Sequence, residues 1–237
     1  MSEGTSLGRK VAVVTGGCRN LGLDISRALV SIGFVVIATT RDRELSMEPP
    51  PGLNGIYVMS ADVSKEGGVR RTFARVRRTK LPLGVLVNNA SSFPRGPLMS
   101  LSSTEVREAM ESTYISSFMC CREAVPMMKG IGWGRVINIG MAGAENVRGY
   151  REVAAHASAK TALAVLTLSL ASELEGTGIT VNMVSPGPIE REDLDHRERE
   201  RLTGISPVGR MTRPEDVARR VIGLVEGDVS GSISTVL

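Results

Sequence analysis

Three glycines in a short turn, Gly16, Gly17 and Gly22, have the clearest chemical meaning in this chain. They follow a run of four apolar, mostly β-branched residues, Val11–Val14, which predicts a strand buried on both faces. The last of them, Gly22, lies at the start of Leu21–Ile32, where apolar residues recur at helical spacing. A strand, a glycine turn and a helix form a cradle for a pyrophosphate, because amides at a helix N-terminus face the negative charge. An ordinary connection between a strand and a helix is the alternative.

The end of the next strand, predicted over Phe34–Ala38, indicates which dinucleotide is bound. In dinucleotide-binding folds an acidic residue at this place binds the ribose 2′-hydroxyl and repels a 2′-phosphate. Thr40 stands there instead, with Arg41 after it and Arg19 in the glycine turn. Two cations suit a 2′-phosphate, so we expect NADP(H) rather than NAD. Asp42 is the alternative, as a displaced acidic residue.

Strands and helices alternate along the whole chain and must position these residues. This order predicts an α/β fold of the Rossmann-like kind, a doubly wound parallel sheet of about seven strands with helices on both faces. We find no internal repeat or linker, so residues 1–237 are expected to form a single NAD(P)-binding domain. The remaining predicted strands are Ile56–Ser60, Gly84–Asn88, Arg135–Ile139, Thr180–Val184 and Ser232–Leu237, and the remaining helices are Lys65–Arg78, Thr104–Met128, Ala155–Glu175 and Pro214–Leu224. Loops are predicted over Glu48–Gly52, Ser91–Pro97 and Gly140–Ala154, and a charged helical lid over Glu190–Arg201.

The composition argues against several classes of function. The formal net charge is +4, and much of the excess lies on the predicted helix Lys65–Arg78, where Phe73 is the one aromatic residue. We therefore expect a solvated helix face and no nucleic-acid partner. Met1–Arg9 contains no apolar run, and no later run approaches the length of a spanning helix, so no membrane association is expected. Three cysteines at spacings that fit no metal site indicate a reduced, cytoplasmic protein without a metal.

Over essentially its whole length the chain resembles the short-chain dehydrogenase/reductase family. Within that family it is most similar to the β-ketoacyl carrier-protein reductase branch, and the segment Asn88–Phe93 is also similar to pteridine reductases. The resemblance implies a small-molecule substrate bound beyond the carboxyl ends of the strands, and a homodimer or homotetramer. The segments that carry it are Thr15-Gly16 with Gly22, Asp62-Val63, Asn88-Asn89-Ala90, Val136–Ile139, Lys160 and Pro186-Gly187.

The resemblance also implies how the cofactor is held. The amides of the glycine loop bind the pyrophosphate, and Lys160 binds the nicotinamide ribose. Asp62 hydrogen-bonds the adenine, while Val63 packs beside it. The loop positions are Gly16, Arg19, Asn20, Leu21 and Gly22, where Asn20 stands in place of the family's second glycine. Asn89 and Ala90 are expected along the adenosine, and Pro186, Gly187 and Ile189 along the nicotinamide.

The chain departs from the family at the positions that perform the chemistry. The usual general acid, a tyrosine four residues before the lysine, is His156. The usual serine is Met141, or Gly143 if the loop insertion is placed differently, and neither side chain donates a useful hydrogen bond. The usual asparagine of the long helix is Thr113. Of the catalytic group implied by the resemblance, only Lys160 is unchanged.

These departures leave three hypotheses open. A lysine one helical turn away should lower the pKa of His156 below its ordinary value of about 6.5 and favour neutral imidazole, which donates protons poorly. Because reduction of an activated C=C bond needs no acid at a developing alkoxide, we favour an NADPH-dependent reductase of an activated alkene or reactive carbonyl. The alternatives are an ordinary 3-oxoacyl-type ketoreductase that uses His156 in place of tyrosine, and an inactive NADP(H)-binding regulatory protein. Tyr150 is a further candidate acid, or else a surface tyrosine.

Overall fold

A computed structural model describes residues 9–47, 54–191 and 193–237, and the loop predicted at Glu48–Gly52 lies outside these residues. Seven strands form one sheet in the order β3-β2-β1-β4-β5-β6-β7, and every neighbouring pair is parallel. The predicted doubly wound parallel sheet is therefore confirmed. Its strands are β1 (Val11–Val14), β2 (Val35–Thr40), β3 (Ile56–Ser60), β4 (Leu83–Asn88), β5 (Gly134–Ile139), β6 (Ile179–Pro186) and β7 (Ile233–Val236).

The helices cover both faces of this sheet because alternate side chains of a strand point to opposite faces. Ala12 and Val14 of β1 pack in one apolar cluster, which includes residues of α1 and α8, whereas Val11 and Val13 pack in the other with residues of α3 and α5. All four are fully buried. In the described part of the chain the helices are α1 (Asn20–Ser31), α2 (Arg43–Met47), α3 (Glu66–Arg78), α4 (Ser103–Met110), α5 (Ser116–Lys129), α6 (Ala154–Glu173), α7 (His196–Ile205) and α8 (Pro214–Glu226).

The direction of winding reverses beside β1. This strand pairs with β2 on one side and with β4 on the other, so Val13 stands between Ile37 and Leu86. The chain therefore leaves β1 and β4 toward opposite edges of the sheet. A crevice opens outside the carboxyl ends of strands at such a point, and ligands of open α/β sheets bind there.

The long helix predicted over Thr104–Met128 is divided in the structure. Helix α4 ends at Met110, a π-helical turn spans Glu111–Ile115, and α5 begins at Ser116. π-Helical turns inside helices occur frequently at functional sites. Thr113 lies in this π-helical turn, is fully buried and belongs to the site described below.

Helix α6 is long and apolar enough, by length and composition, to cross a membrane. This corrects the sequence-based expectation that no apolar run reaches that length. Half of its most apolar window is buried in the fold, where α6 packs against β6 and α4. The buried half of α6 therefore belongs to the packing of the sheet and its covering helices, whereas Val165 and Leu168 are exposed.

Candidate functional site

The glycine turn leaves the N-terminus of α1 open to a ligand. Gly16 has a φ of +62°, and a Cβ at Gly22 would collide with the Gly16 carbonyl oxygen. The backbone of Asn20 is also in the left-handed region, with a φ of +46°, and asparagine tolerates this conformation better than most residues. The side chain of the N-cap residue, Arg19, makes no capping hydrogen bond, and the first turn of α1 holds no acidic residue. Free amides and the helix dipole thus suit an anion at this place.

Asn89 and Thr15 hold the glycine turn in shape. The Asn89 side-chain amide donates to the carbonyl oxygens of Thr15 at 3.0 Å and Gly16 at 3.2 Å. In return, the Thr15 hydroxyl oxygen accepts from the backbone amides of Asn89 at 2.9 Å and Ala90 at 3.0 Å. The start of the segment after β4 is therefore fastened to the glycine turn after β1. Asn89 is expected along the adenosine from the sequence, but its bracing of the turn was not predicted.

A cleft of about 260 Å³ lies at the switch point and brings most of the predicted cofactor residues together. Lys160, Pro186, Gly187 and Ile189 do not line it. The cleft's length from the glycine turn to the end of β2 and its mainly polar and backbone lining suit the pyrophosphate and adenosine of a dinucleotide. The predicted residues that line it are Gly16, Arg19, Asn20, Leu21, Gly22, Thr40, Arg41, Asp62, Val63, Asn89 and Ala90.

The charges in this cleft bear on a 2′-phosphate. Arg19 and Arg41 are both exposed on its lining. The Asp42 carboxylate accepts the backbone amide of Leu45 at 3.1 Å, at the start of α2. The carboxylate that the sequence offered as a displaced ribose ligand therefore already has a partner at a helix N-terminus. Asp62 similarly accepts the amide and hydroxyl of Ser64, at 3.0 and 2.8 Å.

Lys160 is a buried cation at the carboxyl end of β5. Only 3% of the residue is exposed, and its ammonium donates to the Ile139 carbonyl oxygen at 2.6 Å. Burial lowers the pKa of Lys160 to about 7. No carboxylate in the described part of the chain forms an ion pair with it. A buried ammonium held only by a backbone carbonyl retains donors for a ligand's hydroxyl groups.

His156 lies one helical turn before Lys160 and is held by the segment that follows β4. Its Nδ1 is 2.9 Å from the Ser92 carbonyl oxygen and 3.4 Å from the Ser91 hydroxyl oxygen. A carbonyl oxygen only accepts, so Nδ1 carries the proton in this contact. The ring also meets that of Phe93 edge-on, with 4.6 Å between centroids.

The environment keeps this imidazole neutral. The residue is 7% exposed. Burial, and secondly the charge of Lys160, lower the pKa of His156 to about 3, although the Ser92 carbonyl acts in the opposite direction. The predicted direction agrees, but burial contributes more than the lysine. With its proton on Nδ1, the neutral ring presents an unprotonated Nε2, which accepts hydrogen bonds and donates none.

A chain of hydroxyl groups links His156 to the π-helical turn. The Thr113 hydroxyl is 2.8 Å from that of Ser91, and the Ser112 hydroxyl accepts the Ser92 amide at 2.9 Å. These contacts fix the backbone that orients the imidazole. Ser91, Ser92 and Ser112 were not predicted as site residues. Two consecutive hydroxyl residues directly after Asn89-Ala90 were the available signal.

The loop after β5 has no hydroxyl side chain at the position of the missing serine. Met141 has a thioether at that position, and Gly143, with a φ of +81°, lies beneath the guanidinium of Arg148. The Tyr150 hydroxyl accepts from Arg148 Nε at 2.9 Å, and the guanidinium lies 4.9 Å from the centroid of its ring. Tyr150 is therefore paired with an exposed arginine of its own loop.

The charged lid is fastened to two loops by ion pairs. Helix α7 begins at His196, later than the predicted lid Glu190–Arg201, because Asp195 caps it by accepting the Glu198 amide at 2.7 Å. Glu198 pairs at 2.8 Å with both Arg95, after β4, and Arg201. The hydrogen bond from Arg201 and the charges of both arginines lower the pKa of Glu198 to about 2.

A fourth charged group, Glu152, joins this network from the loop before α6. Its carboxylate lies 2.9 Å from Arg95 and 3.6 Å from Arg201. The lid, the segment after β4 and the loop before α6 are thus joined over the carboxyl ends of the strands.

Comparisons with known proteins agree with the fold. The family model described as short chain dehydrogenase matches residues 10–202. A 3-oxoacyl-[acyl-carrier-protein] reductase of Pseudomonas aeruginosa is 32% identical over 231 residues, covering 94% of this chain and 92% of that protein. The acetoacetyl-CoA reductase of Shinella zoogloeoides is 30% identical over 230 residues, covering 94% and 95%. The RhlG/NADP active-site complex of Pseudomonas aeruginosa has a similar structure, with a TM-score of 0.88, 29% identity, and coverage of 99% of this chain and 97% of that one.

Proposed function

The chain belongs to the short chain dehydrogenase family, and from this premise we propose that it is an NADPH-dependent reductase of activated alkenes or reactive carbonyls. The observation that carries the preference for alkenes is the neutral His156, whose Nδ1–H faces the Ser92 carbonyl at 2.9 Å. With Met141 at the serine position, neither side chain donates a proton to a substrate oxygen. The first substrate class is therefore one whose reduction needs no acid.

The cofactor of this reductase is NADP(H), which accompanies structurally similar members of the family. We propose that Gly16, Asn20 and Gly22 shape the turn that receives its pyrophosphate. Arg19 and Arg41 would neutralise the 2′-phosphate, since both are exposed in the cleft. We assign the remaining cleft positions Leu21, Thr40, Asp62, Val63, Asn89 and Ala90 to the adenosine half, and Lys160, Pro186, Gly187 and Ile189 to the nicotinamide half.

The chemistry that the bound cofactor supplies is hydride donation. In a conjugate reduction the hydride adds to the β-carbon, charge spreads to the remote carbonyl oxygen, and a proton from water completes the α-carbon. Lys160 would bind the ribose hydroxyls and place positive charge near the developing negative charge. His156 would accept a hydrogen bond through Nε2 and pack against the substrate, without moving a proton.

A ketoreductase is the second candidate, and the names of two relatives favour it. It requires a proton donor at the developing alkoxide, and general acids of this kind contribute about 10²–10⁴-fold to the rate. His156 would have to fill that role as an imidazolium, which its burial opposes.

Matched substrates separate these candidates. NADPH oxidation would be followed with enoyl and 3-oxoacyl thioesters of the same chain length, and with a cyclic enone beside the saturated ketone, and the products would be identified by mass spectrometry. We expect the alkenes to be reduced at least tenfold faster. Faster reduction of the ketones would favour the ketoreductase, and NADPH binding with turnover of no substrate would favour the inactive regulatory protein. Lys160→Ala serves as the enzyme control.

We also propose a homo-oligomer assembled through α5, α6 and the turn before α5. These elements leave large apolar side chains exposed, which are those of Ile115, Phe118, Val165 and Leu168. A cytoplasmic location is likewise proposed, from the three buried free thiols of Cys18, Cys120 and Cys121.

A further inference from the structure

Helix α3 carries five exposed arginines, which divide into two stripes along the helix. Arg70 and Arg77 form the first stripe, on the side of α5. Arg77 pairs with Glu123 of α5 at 3.3 Å. Arg70 pairs at 3.2 Å with Glu66, which also lies 3.7 Å from Arg122 of α5. Both guanidinium groups of the first stripe therefore have carboxylate partners within the protein.

The second stripe, which we call the arginine stripe, consists of Arg71, Arg75 and Arg78. Intervals of four and three residues place these side chains on one side of the helix. All three are exposed and form no hydrogen bond or ion pair with any residue that the structure describes. Three neighbouring guanidinium groups therefore have all their donors available.

The arginine stripe lies on the side of α3 that faces the β3 edge of the sheet. The buried residues of α3, which include Val69, Phe73 and Val76, separate the two stripes around the helix. Helix α5 packs against β4 and β5, whereas α3 packs against β2. In the strand order β3-β2-β1-β4-β5, the side of α3 away from α5 is therefore the side of β3.

Strand β3 is an edge strand, and it pairs with β2 alone among the described strands. Backbone groups of Gly55 and Ala61, which flank β3, bond to β2 at 3.0 and 2.8 Å. Alternate residues of a strand direct their backbone groups to the same side, so Ile56, Val58 and Ser60 direct theirs outward. The strand contains no charged residue and no proline, which are means by which proteins protect an open edge.

Tyr57 is a half-exposed aromatic residue on the α3 side of this edge. It stands opposite Ile37 in the ladder, and Ile37 packs in the apolar cluster that includes residues of α3. Residues opposite each other in a ladder point to the same face of the sheet. The exposed fraction of Tyr57 is 52%. A further strand beside β3 would place a side chain against this ring.

We propose that the arginine stripe and the β3 edge together bind an extended acidic segment of a partner protein, which adds one strand to the sheet. Main-chain hydrogen bonds to the outer groups of β3 would supply affinity, and carboxylates paired with guanidinium groups would supply specificity. Alternate side chains of a strand lie on one face, about 6.8 Å apart. Arg71 and Arg75 are separated by about 6 Å along the helix axis, so acidic residues at alternate positions match them.

Charge argues against a second copy of this chain as the occupant. Two β3 edges paired with each other would bring two arginine stripes together, and like charges repel. The arginine stripe and the residues of β3 do not line the cleft of about 260 Å³ that is assigned to the cofactor. The partner segment would therefore leave that cleft open.

Fluorescence anisotropy on the full chain tests the charge requirement. The probes are a labelled heptapeptide of alternating glutamate and valine and its counterpart with glutamine in place of glutamate. We expect the acidic peptide to bind about tenfold more tightly at low salt. The double variant Arg71→Gln, Arg75→Gln should remove most of this preference. The control Arg70→Gln, Arg77→Gln removes the same charge from the first stripe and should retain it. Equal affinities for the two peptides, or equal losses in both double variants, would overturn the proposal.

Amide hydrogen exchange measured by NMR tests the added strand. Saturation with the acidic peptide should slow exchange at the outward amides of Val58 and Ser60 by about tenfold or more, and leave that of Met59, which faces β2, unchanged. Peptide binding without this alternation would contradict strand addition. A single-stranded RNA decamer that binds more tightly than the peptide, and loses affinity in the Arg71→Gln, Arg75→Gln variant, would overturn the assignment to an acidic protein.

Discussion

Replacement of His156 by phenylalanine should change the pH dependence of folding by a calculable amount. The imidazole titrates at about 3 in the folded protein, against 6.5 for an unperturbed histidine. Between these values the unfolded chain binds the proton more strongly, so the free energy of unfolding falls as the pH is lowered. Linkage gives a cost of about 2 kcal/mol at pH 5 and almost none at pH 8. Phenylalanine does not titrate, so the variant lacks this loss.

The assay is urea unfolding of both proteins at pH 8, 6 and 5. His156→Phe leaves the Ser92 carbonyl without its donor, which costs about 1–3 kcal/mol at every pH. This contribution is the same at every pH. The free energy of unfolding of the wild type, relative to that of His156→Phe, should therefore fall by about 2 kcal/mol from pH 8 to pH 5. His196→Ala, at an exposed position on α7, is the matched control and should follow the wild type. Parallel curves for wild type and His156→Phe would refute a neutral buried imidazole.

The same variant tests the proton role during turnover. At pH 7 only about one molecule in ten thousand would carry the imidazolium. We therefore expect His156→Phe to lower kcat/KM for an alkene by about tenfold or less, from positioning alone. A pH limb that both proteins share would belong to Lys160, whose pKa is about 7. A loss of a hundredfold or more, with a limb confined to the wild type, would instead identify His156 as the acid.

Three further changes have distinct expected outcomes. Arg41→Ala should weaken NADPH by about tenfold and NADH far less in fluorescence titrations, and equal losses would exclude a role at the 2′-phosphate. Lys160→Met should abolish turnover, and in unfolding experiments it should gain stability relative to wild type as the pH falls from 10 toward 7, because burial disfavours the ammonium. Glu198→Gln should break the ion pairs with Arg95 and Arg201 and raise KM about two- to fivefold with kcat retained. Salt at about 1 M should have the same effect on the wild type, because it screens these exposed pairs. Unchanged KM in both cases would show that the lid pairs do not affect substrate binding.

The sheet could be predicted because its signals are local. A strand buried on both faces is a continuous apolar run, and Val11–Val14 and Phe34–Ala38 are such runs beside glycines or polar ends. The break in the predicted helix Thr104–Met128 could not be predicted in this way. Its π-helical turn is accompanied by contacts of Ser112 and Thr113 with a segment twenty residues earlier, and helical periodicity carries no information about such contacts.

The same distinction between local signals and long-range contacts applies to the site. Gly16, Thr40 and Asn89, which line the cleft of about 260 Å³, lie at or just after the ends of strands. The carboxyl ends of parallel strands meet at one edge of a sheet, so the positions of these three residues followed from their order in the chain. The state of His156 did not follow from its position. The contact with the Ser92 carbonyl joins residues 64 apart, and this contact fixes which nitrogen holds the proton. Spacing within a helix predicted the effect of Lys160 but not the larger effect of burial.

The burial of Lys160 bears on whether the chain has kept a function for its cofactor. An ammonium without a carboxylate partner in the described structure destabilises the folded protein, and a methionine at this position would remove that cost. Stability therefore gives no reason for a lysine there, whereas ribose hydroxyls next to the ammonium would supply the acceptors it lacks. His156 has the opposite character, since it is neutral and its Nδ1 has a partner without any ligand. In the proposed function the cofactor would complete Lys160, whereas the protein itself completes His156, and this division favours hydride transfer without side-chain acid catalysis.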